Sequence, residues 1–238
     1  MTAPTKPGGT PRPPRHPLWA VALLLPIPSL GGAAAMWWWP DTVLGKSLYT
    51  FSKFALLAFP LLWHRHVDSG DFHLPRPRLD DLKRGLPSGL FFLLAVPVGY
   101  ILVARHFLDP AEIATQLQSV GLGHPLTFAA MAVYWCTVNA ILEEMVWRWF
   151  FFRQIQQLTP RKTLAIVLCA AGFALHHWVV VRAWLPTDST AAATLAVWVA
   201  GAVWCRLTLQ TNRIVPACIS HMLADVGIVL VGVWVLFA

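Results

Sequence analysis

Residues 125–152 read PLTFAAMAVYWCTVNAILEEMVWRWFFF. At about 1.5 Å of rise per residue, such a run crosses the roughly 30 Å hydrocarbon core of a bilayer as a helix. It is apolar on nearly every face, as a lipid-facing or buried helix is. Yet it carries Glu143, Glu144 and Arg148. A charged side chain at the bilayer centre costs about 2.5–3.5 kcal/mol even on the mildest scale. The stretch therefore predicts a transmembrane helix that carries ionisable groups at a cost in stability, and such groups point to a task inside the membrane.

The rest of the chain fits that reading. Of its 238 residues, 57% are hydrophobic and 12% charged. A soluble domain has about 25% charged residues, so this chain has too few to cover a water-facing surface. Six further apolar runs, at 18–39, 47–63, 86–104, 163–181, 190–209 and 214–237, have the length of membrane spans. The fold class expected is an all-α, polytopic transmembrane bundle of about seven spans. The run at 47–63 is the weakest, being short and carrying Lys53. Residues 18–238 form one bundle, with the ionisable motifs confined to 125–235. They follow a basic, Pro- and Gly-rich arm at 1–17, whose composition predicts disorder. The first run is too long for the core of a signal peptide and reads as a retained helix.

Lys and Arg set the orientation. The arm and the connections near 64–85, 153–162 and 210–213 hold twelve of them, against Lys46, Arg105 and Arg182 in the alternate connections. This asymmetry puts the N-terminus in the cytoplasm. It also accounts for the formal charge of +7 without a nucleic-acid partner. The lipid bilayer is the expected environment, and the Trp-rich, basic composition suggests a bacterial inner membrane. The four cysteines lie inside apolar runs without CxxC spacing and read as small buried hydrophobes.

Ionisable residues sit on three of the predicted helices. Glu144 and Arg148, four residues apart, share a helix face and can pair. Glu143 is turned about 100° away and needs a partner on another helix. The fifth run contains Phe173, His176 and His177. Adjacent histidines point about 100° apart, so one should face the interior while the other snorkels or bonds a backbone carbonyl. The seventh run contains His221 and Asp225, again four apart, where the carboxylate can orient the imidazole. Brought together in a water-poor site, these groups supply a carboxylate that can take a proton from water, imidazoles to share it, and donors for an oxyanion. Peptide-bond hydrolysis by activated water needs those parts. Proton relays in carriers use the same residue types, so a proton-coupled carrier, a scaffold or an immunity protein is the competing reading.

The sequence resembles the CAAX prenyl endopeptidase and bacteriocin-processing (CPBP or Abi) family. That family carries Glu-Glu-x-x-x-Arg, Phe-x-x-x-His and His-x-x-x-Asn/Asp as separated motifs on membrane helices. Here these are Glu143, Glu144 and Arg148, then Phe173 and His177, then His221 and Asp225. The resemblance implies a glutamic-type intramembrane endopeptidase acting on a membrane-anchored protein or peptide. In it Glu143 activates water, His177 assists, and His221 with Asp225 stabilises the oxyanion. Glu144, Arg148 and Phe173 support, and His176 is an addition to the motif. No cofactor is expected. If zinc is bound, the ligands implied are Glu143, His177 and His221. The sequence specifies no cleavage site and no oligomeric state.

Overall fold

The structure, a computed structural model, describes residues 15–72 and 75–237. Most of the predicted arm, residues 1–14, lies outside the described residues, so its disorder is not addressed. Eight helices follow one another: α1 Pro17–Trp38, α2 Val43–His66, α3 Leu79–His106, α4 Pro110–Ser119, α5 Pro125–Leu158, α6 Lys162–Val181, α7 Thr187–Thr211 and α8 Val215–Phe237. There is no strand among the described residues. In lipid every backbone polar group must be satisfied within the chain, and helices do this.

Local chemistry sets the helix ends. Proline opens α1, α4 and α5, where its missing N–H costs nothing. The Thr42 hydroxyl accepts from the Gly45 N–H at the start of α2. Asn212, at φ 53°, takes the left-handed conformation that stops α7.

Among the described residues, six helices are long and apolar enough to cross a membrane: α1, α3, α5, α6, α7 and α8. The predicted run at 47–63 forms α2 but is not among the six. Lys53, Ser47, Thr50 and Ser52 dilute its apolar character. Its placement nevertheless returns the chain across the bundle. α2 packs antiparallel to α1, and the Arg15 N–H, just before α1, donates to Asp68 Oδ1, just after α2 (2.8 Å). Asp68 also accepts from Gln154 near the end of α5 (3.4 Å). Arg213, between α7 and α8, donates to both Asp81 oxygens (2.8 Å each) and to the Arg76 carbonyl. All four basic connections thus gather at one end. At the other end, Trp37 donates to the Val179 carbonyl, joining the end of α1 to the end of α6.

The connection at 105–124 contains α4. Asp109 caps it by accepting from the Ala111 N–H, and Pro110 occupies the first turn.

Lipid tails are as apolar as leucine, so close packing and polar contacts hold membrane helices together. The tightest pair is α3 with α8. A Cβ on Gly85 would meet the Pro216 carbonyl at 2.5 Å, and one on Gly89 would meet Leu223 at 2.6 Å and the Ser220 backbone at 3.1 Å. This GxxxG spacing lets the two backbones approach. At the bundle centre, α5 buries Trp147, Phe151 and Phe152 fully, packed against Cys169 and Phe173 of α6 and Trp204 of α7. α5 is not a uniform α-helix. Its Ala140–Glu144 turn lies between two wider π turns, Trp135–Asn139 and Met145–Phe151. Such turns shift the register of the side chains and recur at functional sites.

Candidate active site

The short α turn of α5 presents two adjacent carboxylates to different surroundings. Glu144 is wholly buried. Its Oε1 accepts from Arg148 Nη1 at 2.8 Å and from His221 Nδ1 at 2.8 Å. Arg148 is also buried, with its guanidinium over the faces of Phe173 (4.3 Å) and Trp204 (4.9 Å). Its Nη2 reaches the Gly201 carbonyl at 3.4 Å, where a Cβ at position 201 would stand 3.2 Å away. One charge is therefore neutralised by another, and both aromatic faces favour the cation. The pair forms the floor of the site.

Glu143 is half-buried and makes no hydrogen bond among the described residues. One of its oxygens, one nitrogen of His176 and one nitrogen of His177 all lie within 4.8 Å of one another. Its Oε2 is 3.7 Å from His221 Nε2.

Both histidines of α6 point inward, and of the two expected fates, snorkelling or bonding a backbone carbonyl, the structure shows the second. Nδ1 of each donates to the Phe173 carbonyl at 2.9 Å, and the two rings lie 4.0 Å apart. Turning back toward that shared carbonyl overcomes the 100° between their Cβ directions. His176 stacks on Trp147 (5.4 Å, 13°), and His177 packs against Phe173 (4.4 Å).

On α8, His221 stacks on Trp204 (4.0 Å, 17°). Trp204 Nε1 in turn donates to Ser220, which accepts from Ser88 of α3. Asp225 Oδ1 stands 3.7 Å from His221 Nε2, beyond hydrogen-bond length. The carboxylate that orients His221 is therefore Glu144 on α5, not Asp225 one turn away on its own helix.

The zinc ligand set read from the sequence also changes. The compact group is Glu143, His176 and His177, while His221 is held to Glu144. Zinc bonds of about 2.1 Å set tetrahedral ligand atoms about 3.4 Å apart, and never more than about 4.2 Å. Atoms hydrogen-bonded to a central water at about 2.8 Å stand about 4.6 Å apart. Separations of up to 4.8 Å admit a water held by all three groups, and the same donor set could also hold a metal ion.

Lys53 is a participant that the sequence reading treated only as a blemish in a weak span. Half-buried on α2 and lying over the Tyr49 ring at 5.1 Å, it acts electrostatically on Glu143, His176 and His177.

The fold and site define a multi-pass helical membrane protein whose carboxylates and imidazoles meet between α5, α6 and α8. Residues 125–227 match the family described as type II CAAX prenyl endopeptidase Rce1-like. That segment carries all eight candidate residues, and its match is to the CPBP/CAAX protease family. Comparison with curated proteins and with solved structures gives no match.

Proposed function

We propose that this protein is an intramembrane endopeptidase that hydrolyses a peptide bond in a membrane-anchored protein or peptide, using water activated by Glu143. The observation that carries this reading is the unequal fate of the two adjacent glutamates. Glu144 is spent on Arg148 and His221. Glu143 keeps its carboxylate free of hydrogen bonds among the described residues, facing two imidazoles and a third at 3.7 Å.

In the reaction, Glu143 takes a proton from water as the water oxygen attacks the scissile carbonyl carbon. His177 holds that water. His221 has committed its Nδ1–H to Glu144, so it donates from Nε2 as an imidazolium, a form the Glu144 carboxylate supports. It then stabilises the developing oxyanion, with Asp225 beside it. Asp225 donates there only in its protonated form, which a low-dielectric site favours. When the carbon–nitrogen bond breaks, a proton moves from the site to the leaving amine. No metal takes part in this scheme.

The site lies between membrane helices, so the substrate we propose is a segment that reaches it from the bilayer. Leader peptides, C-terminal sorting signals and lipidated tails have that property. The basic connections at one end support placing that end in the cytoplasm, and a bacterial inner membrane is the location proposed.

The test compares membrane proteomes of cells carrying the wild-type chain, lacking it, or carrying Glu143→Gln. We expect the same uncut precursor to accumulate in the second and third. An unchanged proteome together with proton-driven uptake into vesicles supports a carrier and overturns the proposal.

A further inference from the structure

The Phe173 carbonyl is the acceptor for Nδ1 of both His176 and His177 (2.9 Å each). A carbonyl only accepts, so both Nδ1 atoms carry hydrogen. In each neutral ring, Nε2 is then left with its lone pair. One ring nitrogen of each histidine and one Glu143 oxygen lie within 4.8 Å of one another; with Nε2 as that nitrogen, the three are acceptors spaced to share one hydrogen-bonded water. A water molecule has two hydrogens to donate. Its third contact requires a proton on one of the three groups.

We propose that His176, which lies outside the three family motifs, is the third arm of a water clamp: Glu143, His176 and His177 hold one water molecule between them and share one additional proton. This rests on the peptidase reading for its chemistry. There the two protons have separate destinations. One leaves the attacking water for Glu143 as the oxygen–carbon bond forms. The shared proton goes to the leaving nitrogen as the carbon–nitrogen bond breaks, and the trio again holds one proton. His176 is held for this task on both sides. It is buried, stacked on Trp147, and 4.0 Å from the His177 ring. The other charged or titratable groups facing the trio are Lys53 on α2, Glu144 and Arg148 on α5, and His221 and Asp225 on α8. Glu144 and Arg148 offset each other (2.8 Å).

The decisive test needs no substrate. The full chain, labelled with ¹⁵N-histidine in detergent micelles, is examined by NMR, with His176→Gln and His177→Gln used to assign the rings. Both rings should show hydrogen on Nδ1, and Glu143→Gln should shift Nε2 of both together. A His176 ring with hydrogen only on Nε2, or one indifferent to Glu143→Gln, overturns the proposal. With a cleavable precursor in hand, His176→Phe keeps the stack on Trp147 but removes the nitrogen. It should lower kcat about 100-fold, as loss of a proton-transfer group does. KM should be little changed, and His176→Gln should recover part of the loss. An equal loss of stability and of activity in both variants marks a structural role and contradicts the clamp. If the NMR result holds while the wild-type protein cuts nothing, the clamp stands and the peptidase reading falls.

Discussion

His221 donates its orienting hydrogen bond to Glu144, 77 residues earlier in the chain, and not to Asp225 four residues further along its own helix. This cross-helix bond ties α8 to α5, and through the Glu144 pair with Arg148 it reaches Gly201 of α7. The imidazole at the candidate site is thus held by a buried charge network, so residues that hold the bundle together also line the candidate site.

Glu144→Gln should therefore unfold the protein at a lower temperature as well as inactivate it. Leaving Arg148 buried without its counter-charge costs about 3–5 kcal/mol, as for one side of a buried pair. The double variant Glu144→Met with Arg148→Met should be more stable than either single change. Thermal unfolding in detergent checks the order.

Trp204→Leu removes the face on which His221 stacks and over which Arg148 lies. A stacking contact of about 0.5–1.5 kcal/mol corresponds to as much as a tenfold change in rate. The expected result is a kcat lowered by up to about tenfold with KM nearly unchanged. A raised KM with unchanged kcat would move Trp204 from positioning His221 to binding substrate.

Gly89→Leu should separate α3 from α8, since a Cβ at position 89 already meets Leu223 and the Ser220 backbone. Ser220 and His221 are adjacent, so both stability and activity should fall. Gly99→Leu, on the same helix with nothing within 4 Å of its Cβ, should leave both unchanged.

Chelation is expected to have no effect. The purified protein should hold no stoichiometric zinc by elemental analysis, and 1,10-phenanthroline should not slow cleavage. Loss of activity on chelation with recovery on adding zinc would show that the trio contracts around a metal.

Much of the architecture was legible in the sequence because the membrane imposes simple lengths. The apolar runs appear as helices, with ends differing by a few residues. The helix beginning at Pro125 continues to Leu158, where Pro160 follows shortly. The Glu144–Arg148 pair was legible because residues four apart share a helix face whatever surrounds them. The Glu144–His221 bond was not, because it depends on how α5 and α8 meet. The inward turn of both His176 and His177 was hidden for another reason. Cβ directions predict divergence, and only the shared Phe173 carbonyl draws the rings together. Two missed features had signals: Gly85 and Gly89 at GxxxG spacing, and Asp109-Pro110 as a cap with proline in the first turn. Lys53 weakens its helix as a span while adding a charge near Glu143, and hydropathy registers only the first effect.

The central claim is that the Glu143 carboxylate activates the water that cuts the peptide bond. The most direct measurement is the single-turnover cleavage rate of the accumulated precursor by purified wild-type protein and by Glu143→Gln of equal thermal stability. The account predicts a fall of at least about 100- to 10,000-fold, the range for loss of a general base. A variant that cleaves at the wild-type rate would contradict it.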